Sequence, residues 1–155
     1  MITVQREKFS DVYEESKALL EEHWSEISSF SDIKLNVDHA LYSCAEEKGI
    51  LRVFTIRDDS VLVGYLATFV RGHIHYKESL QSFVDVVFLK EEYRNAGTGK
   101  KLIDFVDNSL KAEGVQINQH HVKIKHPALG KLLEHLGYET VETTYVRRLD
   151  KWPGQ

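Results

Sequence analysis

Hydrophobic and polar positions change period several times along the chain, and those changes lay out its elements. Ile2-Thr3-Val4-Gln5 alternates as a first strand. Ser10 is then placed to cap a helix whose apolar residues Val12, Leu19, Leu20 and Trp24 recur near helical spacing. A polar stretch runs from Ser25 to Asn36. Asp38 is the predicted N-cap of a second helix, with Ala40, Leu41, Cys44 and Ala45 on one face and Gly49 as its stop. Ile50 to Ile56 and Val61 to Val70 are rich in β-branched and aromatic residues. They flank an Asp58-Asp59-Ser60 turn, which predicts an antiparallel hairpin.

Lys77 and Glu78 read as a polar break before another strand, Ser82 to Leu89. A helix from Thr98 carries Leu102, Ile103, Phe105, Val106 and Leu110 on its apolar face and stops at Gly114. Val115 to Ile124 supplies the next strand, so a strand, helix, strand unit is expected. A last helix begins at His126-Pro127, carries Leu129, Leu132, Leu133 and Leu136, and ends at Gly137; Val141 to Leu149 closes the pattern as a strand. The predicted fold class is α+β with a mixed sheet. A chain of 155 residues fits one core, so residues 1–149 are expected to form one domain and 150–155 a short frayed tail.

Composition narrows the partners. The chain is 42% hydrophobic and 28% charged with a formal net charge of −4, an ordinary globular balance without a general pull toward nucleic acid or anionic lipid. Cys44 has no second cysteine to pair with, no stretch reaches the roughly 20 apolar residues of a membrane span, and the N-terminus lacks a signal-peptide pattern. A reducing, cytoplasmic setting is expected, with Cys44 as a buried small residue.

The most informative stretch is the strand Phe83 to Leu89, followed by Arg94-Asn95-Ala96-Gly97-Thr98-Gly99-Lys100-Lys101 at the opening of a helix. Glycines let successive N–H groups turn toward one point, and a helix N-terminus adds partial positive charge, so this loop suits a phosphate or pyrophosphate. A P-loop would need glycine where Arg94 stands and Ser or Thr at Lys101; a dinucleotide fingerprint would need glycine at Leu102. Neither spacing is met. The competing plain reading is an ordinary strand-to-helix connection with a solvated basic pair, against which the order of elements argues.

The remaining pattern, Arg-x-x-Gly-x-Gly, together with the element order over nearly the whole chain, resembles the GNAT superfamily of acetyl-CoA-dependent N-acetyltransferases. The segment from His126 to Tyr138 resembles that superfamily's last-helix motif. His73-Ile74-His75-Tyr76 and His120-His121-Val122-Lys123 look like stretches of small phage and prophage members. The resemblance implies a mostly antiparallel sheet flanked by helices, with a splayed parallel strand pair holding acetyl-CoA, and direct acetyl transfer to a primary amine. It implies cofactor binding by Phe88, Leu89, Arg94, Asn95, Ala96, Gly97, Thr98, Gly99, Lys100 and His126, the last standing where the motif often has an Asn.

The acceptor's ammonium, with a pKa near ~10, must lose a proton before it attacks a thioester. The resemblance makes Asp85 the leading base, a half-desolvated carboxylate among valines; the alternative is a carboxylate paired with a His or Lys of a neighbouring strand. An oxyanion donor is implied in the backbone near Phe88 or Leu89. The family's usual Tyr acid is replaced by Leu133, leaving Tyr145 or a histidine to substitute.

His73 and His75 alternate on one predicted strand and share a face, so they either line the acceptor cleft or sit hydrogen-bonded at a sheet edge. No Cys or clustered carboxylate completes a metal-ligand spacing, and no metal is assigned. Trp24 and Tyr42 could form an aromatic wall for an amine, or pack in the core. The expected partners are acetyl-CoA and an amine acceptor, without nucleic acid or membrane, in a monomer or homodimer. The competing function is a non-catalytic acyl-CoA-binding or interaction module.

Overall fold

The computed structural model describes residues 1–94 and 97–153. Its sheet has the strand order β1 (Ile2–Glu7), β2 (Leu51–Asp58), β3 (Val61–His73), β4 (Tyr76–Leu89) and β5 (Ile117–Gln119). All neighbours are antiparallel except β4 and β5. Helices α1 (Phe9–Ile27) and α2 (His39–Glu47) cover one face; α3 (Thr98–Ala112) packs against the other, and α4 (Ala128–His135) follows β5. This is the expected mixed α+β architecture.

Burial follows the helix and strand periods. Phe54, Ile56, Val63 and Leu66 of the sheet meet Leu102, Ile103, Val106 and Leu110 of α3, all at 1% exposure or less. On the opposite face Phe9, Val12, Ala45, Val53 and Ala67 form one cluster, and Leu19, Leu62, Tyr65 and Phe88 another. The β2–β3 turn is tight because Asp59 and Ser60 adopt φ of 45° and 81°, the paired left-handed geometry that matches strand twist.

Several boundaries differ from the sequence reading. Ser10 does not cap α1, which already begins at Phe9; instead the Glu46 carboxylate of α2 accepts from the backbone N–H groups of Phe9 and Ser10 (2.5 and 3.2 Å). A long-range partner thus replaces the local cap. Asp38 does cap α2, accepting from the Leu41 N–H at 2.9 Å. That helix turns Tyr42 and Ala45 inward and leaves Leu41 and Cys44 exposed, because Phe9 and Phe69 offer ring surfaces to Tyr42. Lys77 and Glu78 lie within β4 as exposed residues, but the register with β3 is interrupted between Tyr76 and Leu80, so the expected break survives as an irregularity in the ladder.

The C-terminal third departs furthest. β5 is only three residues long, and the chain leaves the sheet before Val122. The closing strand expected from Val141 to Leu149 is absent: residues 139–148 carry no regular structure and pair with no strand among the described residues.

Candidate functional site

The β4–β5 ladder ends at Phe83 opposite Gln119. Past that point residues 84–89 keep β3 on one side only, and the other edge opens into a cavity of about 460 Å³. A register shift falls here, since Thr68 pairs with Val84 and Ala67 with Val86. Asp85 is therefore the extra residue of a β-bulge. Val84 packs toward α3 while Val86 packs toward α1 and α2, and the bulge lets Asp85 share the α2 side. There the Tyr42 hydroxyl donates to the Asp85 carboxylate. Opposite the open edge stand His121, Val122 and Lys123, with Leu129 and Leu132 of α4 beyond them.

At its far end the strand runs through a short 3-10 turn, Glu91–Tyr93, toward Gly97, whose φ of 80° sends the chain into α3. A Cβ at Gly97 would meet nothing within 4 Å, so the loop is open above this residue. Gly97 stands at the N-cap of α3, and Gly97, Gly99 and Lys100 line the cavity. Phe88 and Leu89 border the cavity with buried side chains, and the Leu89 carbonyl is taken by Arg94. Lys100 is exposed and paired with Asp104; Lys101 points away, donating to the Ile2 carbonyl at 2.6 Å. Thr98 is buried at the first turn of α3. Asn95 and Ala96, expected to contact the cofactor, lie outside the described residues.

Arg94 has a defined place. Its Nε donates to the Leu89 carbonyl at 2.8 Å, and its two terminal nitrogens form a fork on Glu26 of α1 at 2.8 and 2.6 Å. That pairing holds the Glu26 carboxyl below the usual range and raises Arg94 further. His126, half-buried on the cavity wall, donates from Nε2 to the Glu26 carbonyl at 2.7 Å. One helical turn before Glu26, His23 stacks on Phe88 with ring centroids 4.9 Å apart, and its Nδ1 lies 2.9 Å from the Tyr65 hydroxyl. Burial pushes its pKa down to about 4, so it is neutral at pH 7.

Other sequence candidates fall elsewhere. His73 ends β3, Ile74 and His75 form the turn, and Tyr76 begins β4. The two histidines thus meet across a hairpin tip rather than along one strand, the His75 N–H donating to His73 Nδ1 at 3.1 Å. Neither lines the cavity. Nine residue steps along the strand separate Tyr76 from Asp85, about 30 Å at strand rise. Tyr145 is 92% exposed and also stands off the cavity. Asp85 is exposed, not half-desolvated, because the bulge lifts it from its valine neighbours. Leu133 is buried in the α3-side core. Among the described residues no group of three or more His, Cys, Asp or Glu side chains could hold a metal.

His23, Glu26 and Tyr65 were not singled out by the sequence, although His23 and Glu26 are three apart on one helix and so share a face. The signal lies in that spacing, masked by the polar stretch that opens at Ser25.

An open strand edge leading into a glycine-turned helix N-terminus has a shape suited to an elongated ligand with a phosphate end. The family model for the acetyltransferase (GNAT) domain matches residues 49–140. The chain belongs to the GNAT acetyltransferase family, and it is thereby an acetyl-CoA-dependent acyltransferase of the kind the sequence resemblance implied. No curated protein matches the sequence.

Solved structures share the fold. A ribosomal-protein-alanine N-acetyltransferase from Brucella melitensis biovar Abortus 2308 superposes with a TM-score of 0.74 at 16% identity, covering 96% of this chain and 99% of that one. The aminoglycoside acetyltransferase AAC(6')-Iy with a bisubstrate analogue gives 0.73 at 18%, covering 96% and 97%. A predicted acetyltransferase with acetyl-CoA from Clostridium acetobutylicum gives 0.70 at 11%, covering 99% and 100%. Among the described residues no helix is long and apolar enough to cross a membrane.

Proposed function

We propose that the cleft beside β4 binds acetyl-CoA and that Asp85 assists transfer of the acetyl group to a primary amine. The observation that carries this reading is the continuity of the open edge, residues 84–89, with the left-handed Gly97 at the start of α3. Backbone groups along the edge suit the amide-bearing arm of the cofactor, and the N-terminus of α3 suits its pyrophosphate, with Arg94 and Lys100 beside it. Asn95, Ala96, Thr98 and His126 complete the proposed cofactor contacts. A backbone N–H near Phe88 or Leu89 is the proposed oxyanion donor.

In the proposed step the amine loses its proton toward Asp85, directly or through water, and attacks the thioester carbonyl. The tetrahedral intermediate collapses with departure of the coenzyme A thiolate, and an amide bond replaces the thioester. A thiol pKa near ~8.5 makes the thiolate a tolerable leaving group without a dedicated acid. Aminoglycosides and a ribosomal protein are acceptors named for structural neighbours, and they indicate only that the acceptor is an amine. Residues 1–149 as one domain, a cytoplasmic setting and kinship with phage-borne members are further parts of this reading, supported by the element order, the lone Cys44 and the two histidine-containing stretches.

Calorimetric titration of acetyl-CoA into wild type and Gly97→Glu tests the site, with circular dichroism to verify folding. Binding to wild type that is lost in the folded variant is the expected result; equal binding in both would place the cofactor elsewhere. Buried Leu133 at the family's Tyr position favours a second reading, a module that binds acyl-CoA without turning it over. Release of free thiol from acetyl-CoA with a panel of amines, abolished in Asp85→Asn, separates the two.

A further inference from the structure

Beyond the edge of α2 the shared face of β3 and β4 is partly bare, and its side chains form a row beside Asp85. Phe83 stands two residues before Asp85 and opposite Phe69, whose ring packs on Tyr42 with centroids 5.8 Å apart. Phe83 therefore lies on the α2 side of the sheet, the side on which Tyr42 donates to Asp85. Arg71, two residues after Phe69 on β3, shares that face and lays its guanidinium over the Phe83 ring, 4.5 Å from the centroid. On the other flank Gln119 of β5 is the register partner of Phe83, at the last paired position before the two strands part. Its amide nitrogen donates to Oε1 of the buried Gln81 at 2.9 Å, which fixes the amide and leaves its carbonyl oxygen to accept. Phe83 and Gln119 are half-buried, while Arg71 and Asp85 are exposed.

Arg71 meets no carboxylate among the described residues, whereas Arg6, Arg52, Arg57, Arg94 and Arg148 all do. Stacking on Phe83 occupies the flat face of its guanidinium and keeps the in-plane N–H fork free, the geometry that a carboxylate fills bidentately. A cation without an acidic partner and the proposed base thus stand on one face, with the Phe83 ring beside both.

We propose that this face selects an α-amino acid as acceptor, its carboxylate paired with Arg71 and its amine held between Asp85 and the Gln119 carbonyl. The inference rests on the reading of Asp85 and the cofactor cleft given above. Phe83 and Asp85 are about 6–7 Å apart along the strand, a gap bridged by two hydrogen bonds of about 2.9 Å and the short span of an amino acid. Each charge of the zwitterion meets its opposite, so neither end is brought beside a like charge. In turnover the amine passes a proton to Asp85 and its nitrogen bonds to the acetyl carbon. The C–S bond breaks, the thiolate leaves with the electron pair, and the product is an N-acetyl amino acid that keeps its carboxylate.

Binding is read apart from turnover, by ligand-observed NMR titration of the proteinogenic amino acids and their carboxamides, with and without coenzyme A. At least one amino acid should bind, and its carboxamide, which lacks the charge, should bind about 10–100-fold more weakly. Arg71→Met keeps an apolar stem on Phe83 but removes the fork. The difference between acid and amide should vanish in that variant, and Arg71→Lys should restore only part of it. Circular dichroism verifies that both variants fold. In acetyl transfer, followed as thiol release, the loss in Arg71→Met should fall on KM for the amino acid and leave acetyl-CoA affinity unchanged. Amino acids that do not bind, that bind Arg71→Met as well as wild type, or that bind no better than their amides would each overturn the proposal. So would an amino acid that binds beside acetyl-CoA and is not acetylated. Absence of acetyl-CoA binding to wild type would instead overturn the reading of the cleft, and the amino-acid titrations would still decide the role of Arg71.

Discussion

Gly64 sits on β3 opposite Leu89, against the end of β4 that borders the cavity. A Cβ built there would lie 2.7 Å from the Phe88 carbonyl oxygen, 3.0 Å from Leu89 Cδ1 and 3.2 Å from Ile56 Cδ1. The closest atom is backbone, which cannot swing aside as a side chain would, so Gly64→Ala must push β4 outward by several tenths of an ångström. Overpacking of this kind costs about 1–3 kcal/mol. The smaller entropy of an unfolded alanine returns roughly 0.4–1 kcal/mol. The net expectation is a loss of about 1–2 kcal/mol, read as a lower urea midpoint at unchanged slope. Because the displaced backbone is that of Phe88 and Leu89, acetyl-CoA affinity should fall as well. Gly130→Ala is the matched control: its Cβ would meet only Val122 Cγ1 at an ordinary 3.5 Å, inside α4. It should stabilise by about 0.5–1 kcal/mol. Equal midpoints for wild type and Gly64→Ala would refute the close-approach argument.

Three further outcomes follow from the same geometry. Burial holds His23 at about 4 against 6.5 when unfolded, so stability is complete above pH 6.5 and declines as pH falls toward 4, because only the unfolded chain takes up the proton. The share due to His23 should reach about 3 kcal/mol, His120, also held at about 4 by burial, adds to it over the same window, and denaturation midpoints that do not move would contradict it. Glu26→Gln removes a carboxylate from beside the proposed pyrophosphate site and frees Arg94. Acetyl-CoA should then bind roughly three- to tenfold tighter, whereas weaker binding would make Glu26 the residue that positions Arg94. Asp38→Ala should cost about 1 kcal/mol through loss of the α2 cap, and an unchanged melting curve would dispose of that estimate.

The elements most legible in the sequence were those governed by local chemistry. Asp38, the Asp59-Ser60 turn, the apolar stripe of α3 and the stops at Gly49, Gly114 and Gly137 all act through neighbouring residues, and the structure places each as expected apart from Phe105 of that stripe, which is 37% exposed. The glycine loop was legible for the same reason. What was hidden depended on distant partners. Glu46 caps a helix 37 residues earlier in the chain, and Glu26 meets Arg94 across 68 positions. The bulge at Asp85 is a matter of register between two strands, which an alternating run of valines does not reveal. His73 and His75 read as one strand because Ile74 completes an alternation that hairpin tips also produce. The arm after α4 reads as a strand by composition, but a strand exists only with a partner to share its hydrogen bonds.

The bulge also sets the terms on which Asp85 is retained. Val84 faces α3, Val86 faces α1, and Val87 and Phe88 continue that alternation to the end of the strand. Were Asp85 deleted, Val84 and Val86 would become adjacent and every remaining side chain would keep its face. The β3–β4 ladder would be more regular without this residue, whose remaining structural tie is the hydrogen bond it accepts from Tyr42 of α2. Its carboxylate is in effect a one-residue insertion into a complete sheet, so tolerance to deletion and intolerance to loss of charge should diverge at this single position.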